Sequence, residues 1–178
     1  MNGTAGRGMQ AAENDRCVVE RQLGREPRAF LRVAARCPFG APAVTEEDPY
    51  GADGAPFPTT YYLTCPHLVA AVSRLEAAGG VARWSAELAS NASLSSDLSR
   101  ATEEQRSLRR RLAAGRSGID FGASLGSGIG GSRNPGQLKC LHAHAAYALA
   151  RPGYLVGEAI LAELPQRWPE HACCSGGT

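Results

Sequence analysis

The chain has 178 residues, 43% of them apolar, and a formal charge of +2. That length suits one domain with its own core, and a charge so close to balance creates no field that would draw nucleic acid or an anionic membrane. No apolar run reaches the roughly 18 residues of a transmembrane helix, so neither a nucleic-acid partner nor a membrane span is expected.

In chain order, MNGTAGRGMQ lacks a charged region followed by an apolar one, so it does not read as a signal peptide. Residues 1–12 are expected as a disordered tail. The protein is then expected in the cytoplasm, with its six cysteines as reduced thiols. ENDRCVVERQL (13–23) has a helical pattern that Gly24 stops. FLRVAARC (30–37) suits a strand, and APAV (41–44) a second short extended piece. TEEDPYGADGAPFP then reads as a loop, dense in turn-forming Pro, Gly and Asp. TTYYLTC (59–65) is the strongest strand signal, being β-branched and aromatic.

Pro66 opens a helix, because proline at the first helical position gives up only an N–H that has no partner there. The apolar stripe Leu68, Ala71, Val72, Leu75 runs to Gly79-Gly80. Residues 81–90 continue as helix around Trp84 and Leu88, and 92–114 read as a largely solvated helix with Arg109–Arg111 on its wet face. Residues 115–136 form a Gly/Ser-rich loop, followed by the helices QLKCLHAHAAYALA and YLVGEAILAEL and by a tail over 171–178. This order predicts a single α+β domain over 13–170, with a small antiparallel sheet of two or three strands covered by helices.

Three cysteines sit at element boundaries: Cys37, Cys65 and Cys140. Cys65 falls where a strand meets a helix, near unpaired backbone N–H groups that favour a thiolate. With His67 or His144, or with Cys173, these cysteines make a ligand set that suits zinc or an iron–sulfur cluster. The spacing holds no CxxC and no HExxH, so it does not choose between them. At about 100° per residue, Cys140 and His144 share a helix face. His142 points with Leu138, Leu141 and Leu149, as a core histidine would. The pairing with His144 holds unless Cys140 precedes the first regular turn.

A second reading is a thiolate enzyme, with Cys65 or Cys140 as nucleophile and His144 or His67 as base. Its substrate would be a small anionic ligand bearing phosphate or carboxylate. Gly128, Gly130 and Gly131 of the GIGG loop, with Lys139, Arg25, Arg28 and Arg36, would bind it. Arg74 is a further candidate. Lys139 is the one lysine in a chain of eighteen arginines. A third reading is a non-catalytic interaction protein whose cysteines pack in the core.

The words QLGREPR, ARCPFGAP, PFPTTYYLTCPHL, SRLE, GIGG and KCLHAHAAYALA occur in that order. Together they resemble an uncharacterised bacterial family, domain of unknown function 501, over roughly residues 17–173. The resemblance implies no established activity. It implies a protein partner in cell division or phosphate metabolism, through the genes that accompany family members. Two departures stand out. A histidine usual in the polar helix is missing from SRATEEQRS, and an Asn-Pro-x-Gly-like turn reads RPGYLVG, where Gly157 is expected to keep the turn.

Overall fold

The computed structural model describes residues 3–134 and 136–174; residues 1–2 and 175–178 of the two expected tails lie outside the described residues. Six α-helices and one three-stranded sheet occur among the described residues, which is the expected α+β class. Helix α1 spans Gly3–Leu23 and so begins well before residue 13, inside the segment expected as a tail.

Strands β1 (Phe30–Arg36), β2 (Pro42–Glu47) and β3 (Tyr61–Leu63) form an antiparallel sheet in the order β1-β2-β3. β2 is central and buried along its whole length. It runs on through Thr45, Glu46 and Glu47, which the sequence suggested as loop. Their polar side chains are buried with partners: Arg32 pairs with Glu46, and the Thr45 hydroxyl donates to Glu47. Pairing of Val44 with Leu63 and Glu46 with Tyr61 puts these four on one face.

Helix α5 (Leu141–Ala150) packs against the sheet, with Tyr147 edge-on to Tyr61 at 5.5 Å between ring centroids. Its composition is apolar around nearly the full circumference, so it must be enclosed. Leu141, Ala145 and Ala146 are fully buried, with α2 (Pro66–Ala77) and α6 (Leu155–Ala162) packed against it. Helix α3 covers Gly80–Ser90.

Helix α4 (Ala92–Ala113) corrects the picture of a largely solvated helix. Asp97, Ala101, Gln105, Arg109 and Ala113, four residues apart in turn, form a buried stripe. Most of these side chains are polar or small, which hid the stripe from a search for apolar periodicity. Asp97 accepts the Leu155 N–H at 2.8 Å and so caps the first turn of α6. Arg109 is wholly buried rather than on a wet face, with one nitrogen 3.5 Å from the Thr60 hydroxyl. Burial pushes its pKa down, against the favourable charges of Asp120 and Asp48. Arg110 and Arg111 are exposed as expected.

Gly157 does not keep a turn. It lies inside α6, where a Cβ would sit 2.3 Å from the His144 carbonyl oxygen and 2.6 Å from Ala148 Cβ. Its missing side chain is what lets α6 approach α5. No described helix is long and apolar enough to cross a membrane.

Candidate metal centre

Cys140 is the N-cap of α5, with extended backbone (φ −158°, ψ 121°). Stepping by 100° per residue therefore starts only at Leu141, and the expected pairing of Cys140 with His144 does not form. Cys140 Sγ instead lies 3.7 Å from Nδ1 of His142. His144 is 1% exposed and turns into the core, where its Nδ1 is 2.6 Å from the Tyr154 hydroxyl. The roles expected of the two histidines are exchanged.

Glu76, near the end of α2, completes the group. Its Oε1 accepts the backbone N–H of Leu141 at 2.5 Å, placing a carboxylate at the positive end of α5. The same oxygen is 3.2 Å from His142 Nδ1. Among the described residues, Glu76, Cys140 and His142 are the one group of three Cys, His or acidic side chains whose ligand atoms all lie within 4.8 Å of one another.

The far side of the imidazole is held as firmly. His142 Nε2 lies 3.2 Å from the Val69 carbonyl oxygen and 3.1 Å from Ser73 Oγ. A carbonyl only accepts, so Nε2 carries the proton that it donates there. Nδ1 is then left between a thiol and a carboxylate. Burial acts to lower the His142 pKa, but the Cys140 and Glu76 charges outweigh it and raise the value to about 9. His144 has burial alone acting on it, and its pKa falls to about 3.

Cys140 and His142 line a pocket of about 570 Å3. Its walls include Tyr61, Tyr62 and Leu63 along β3, which is an edge strand, together with Val69 and Ala70 of α2. Among the described residues, no Arg or Lys lines it.

The other residues singled out in the sequence lie elsewhere. Cys37 and Cys65 are buried at the ends of β1 and β3, and neither joins Cys140 in a cluster. Cys37 Sγ is 3.9 Å from Cys173 Sγ, and Cys65 Sγ is 3.5 Å from Cys174 Sγ. Cys65 does cap α2, as expected, but its thiol is not acidified: burial pushes it up to about 12, outweighing the lowering by the Leu68 and His67 amides. His67 Nε2 is 2.9 Å from the Gln166 carbonyl oxygen.

The anion-binding residues are not brought to the pocket as a set. Gly130 lines it, and a Cβ there would meet Ala143 Cβ at 3.0 Å, so the GIGG turn packs on α5. The Gly128 and Gly131 amides donate to Ser132 and Gly128 carbonyls. Lys139 is exposed; Arg36 pairs with Asp15; Arg25 and Arg28 line a different pocket beside Glu26 and Asp53. Glu76 carried no local signal of its own. Ser73 and Glu76 are the two ends of the SRLE word, and both meet His142, so that word beside KCLH was the trace available in the sequence.

No curated protein and no solved structure matches the chain. A family model described as "Protein of unknown function (DUF501)" matches residues 33–162, a span that holds β2, β3 and the second half of β1, all of α2 to α6 and the Glu76–Cys140–His142 group, and the chain belongs to that family.

Proposed function

We propose that Glu76, Cys140 and His142 hold one divalent metal ion, zinc by their chemistry, and that this centre acts on an uncharged small ligand in the adjoining pocket. The observation that carries this reading is the surroundings of His142. Its Nε2 proton goes to the Val69 carbonyl, so Nδ1 is the nitrogen turned toward Cys140 and Glu76, and a bound cation would take the place of the proton that it carries below about pH 9. A backbone carbonyl that fixes the tautomer in this way is the usual outer partner of a metal-binding histidine.

Distances support the same reading. Tetrahedral zinc with bonds of about 2.3 Å to sulfur and 2.0–2.1 Å to nitrogen or oxygen holds S and N about 3.6 Å apart, and N and O about 3.3 Å. The corresponding separations here are 3.7 and 3.2 Å. A single thiolate with imidazole and carboxylate suits zinc better than an iron–sulfur cluster, which uses several cysteines. With three protein ligands, such an ion would keep a position open for water or substrate and would supply an activated water near neutral pH; Cys140 and His142 also line the pocket. With no Arg or Lys among the described residues of the lining, the pocket favours an uncharged and partly apolar ligand over a phosphate. Reduced thiols suit a protein of the cytoplasm.

Protein purified without a metal-binding tag is expected to carry one equivalent of zinc. Cys140→Ser and His142→Ala are expected to lose it, and Ser73→Ala to weaken binding by about tenfold, since it removes an outer partner. Absence of stoichiometric metal, in air and anaerobically, contradicts the reading.

A second reading uses the same contact. With a proton on Nδ1, His142 would hold Cys140 as a thiolate nucleophile facing the pocket. It is favoured if the metal-free protein labels rapidly with iodoacetamide at Cys140 alone at low pH.

A further inference from the structure

The C-terminal segment after α6 returns across the end of the sheet. Trp168 and Cys173 pack against the core there, and the Gln166 carbonyl meets His67. At its end two adjacent cysteines each face a different buried cysteine. Cys173 faces Cys37, just after β1, and Cys174 faces Cys65, just after β3. The two partners lie on either side of β2, since the Cys37 amide donates to Ala41 and the Cys65 amide to Ala43. The two pairs are therefore separate, and no three of the four sulfurs lie within 4.8 Å of one another.

We propose that Cys37–Cys173 and Cys65–Cys174 are two disulfide-forming pairs, closed by hydroperoxides, that fasten the C-terminal segment to the ends of β1 and β3. The sulfurs stand 3.9 and 3.5 Å apart, against about 2.05 Å in a bond, so rotation of the side chains with a small shift of the segment closes each pair. Burial is unequal within each pair. Cys37 and Cys65 are buried, Cys173 is partly accessible and Cys174 is exposed. The accessible sulfur is thus the one that meets oxidant.

In the first step the thiolate of Cys174 attacks one oxygen of the hydroperoxide. The O–O bond breaks, sulfur is oxidised to a sulfenic acid, and the peroxide leaves as water or alcohol after taking up a proton. In the second step Cys65 sulfur attacks that sulfenic sulfur. The S–O bond breaks, the hydroxyl departs with the Cys65 proton as water, and the S–S bond forms. Cys173 and Cys37 follow the same course. Closing Cys65–Cys174 also pins the N-cap of α2, the helix that carries Val69, Ser73 and Glu76 beside His142. The inference does not depend on whether that site holds metal.

The test treats the whole reduced chain with limiting hydrogen peroxide, blocks remaining thiols by alkylation, and maps disulfides by mass spectrometry of peptides. Cross-links Cys37–Cys173 and Cys65–Cys174 are expected, each with loss of two hydrogens and each reversed by a thiol reductant. Cys174→Ser is expected to leave Cys65 alkylated while Cys37–Cys173 still forms. A Cys173–Cys174 bond, Cys65 linking to Cys173 in the variant, overoxidised unpaired sulfur, or zinc bound by these four thiols that protects them all would each overturn the proposal.

Discussion

Gly157→Ala is expected to lower stability by about 2 kcal/mol, and Gly157→Val by more. The physical cause is a collision between two helices. A Cβ at this position meets the His144 carbonyl oxygen at 2.3 Å and Ala148 Cβ at 2.6 Å, distances that require a backbone to move. Overpacking in an interior costs about 1–3 kcal/mol when side chains can shift, and backbone contact lies at the upper end. Alanine favours helix over glycine by about 1 kcal/mol, which offsets only part of this. For a chain of this size each kcal/mol corresponds to about 2–4 °C, so thermal unfolding is expected about 6 °C lower. Unfolding of Gly157→Ala at the wild-type temperature would contradict the close approach of α5 and α6. The same substitution reaches the candidate site, because the carbonyl that it strikes belongs to the helix that carries His142.

The second large effect is acid destabilisation through His144. Its folded pKa is about 3 because burial disfavours the imidazolium, while the unfolded chain titrates near 6.5. The neutral form is the folded form. This contribution is complete above pH 6.5. It is lost as pH falls, because the unfolded chain takes up a proton that the folded chain refuses until about pH 3. Each pH unit in that window removes about 1.4 kcal/mol, so the loss reaches the order of 5 kcal/mol. His144→Gln, which retains a polar partner for Tyr154, is expected to cost stability at pH 7 and to become relatively more stable than wild type as pH falls. Denaturant unfolding of both proteins between pH 7 and 4 checks this. Parallel profiles would mean that His144 is not buried as neutral imidazole.

How much of this was legible in the sequence depended on whether local rules governed it. Pro66 marked the start of α2, and the apolar spacing of Leu68, Ala71 and Val72 marked its buried face, because both are set within a few residues. β3 stood out through Tyr61 and Tyr62, although only three residues pair. β2 was longer than expected, because Glu46 is buried against Arg32 of the neighbouring strand, while Glu47 is buried against Thr45, two residues back on the same face. Arg109 and Asp97 were hidden in the same way. A polar residue in a buried stripe shows its place only when the elements around it are known.

The candidate site shows the same division. Cys140 was found because it sits at an element boundary with two histidines a few residues on. The wrong histidine was paired with it because helical stepping was applied across a residue that is extended. Glu76 is 64 residues from Cys140 in sequence, as their numbers show, and is brought there by α2 packing on α5. The thiol of Cys65 stands at a helix start as expected, yet burial outweighs the amides around it. Position along a chain sets which dipoles are near, whereas tertiary packing sets how much water remains.

A metal ion shared by Cys140 Sγ, His142 Nδ1 and Glu76 Oε1 would report its ligands by absorption. Titration of the metal-free protein with cobalt(II), followed by absorption spectroscopy, tests for it most directly, since cobalt takes zinc's place and reports its own ligands. The expected result is saturation at one equivalent, with the tetrahedral ligand-field bands and one thiolate-to-cobalt charge-transfer band, the latter lost in Cys140→Ser and all bands lost in His142→Ala. An octahedral spectrum without thiolate charge transfer, or a thiolate band that survives Cys140→Ser, would contradict it.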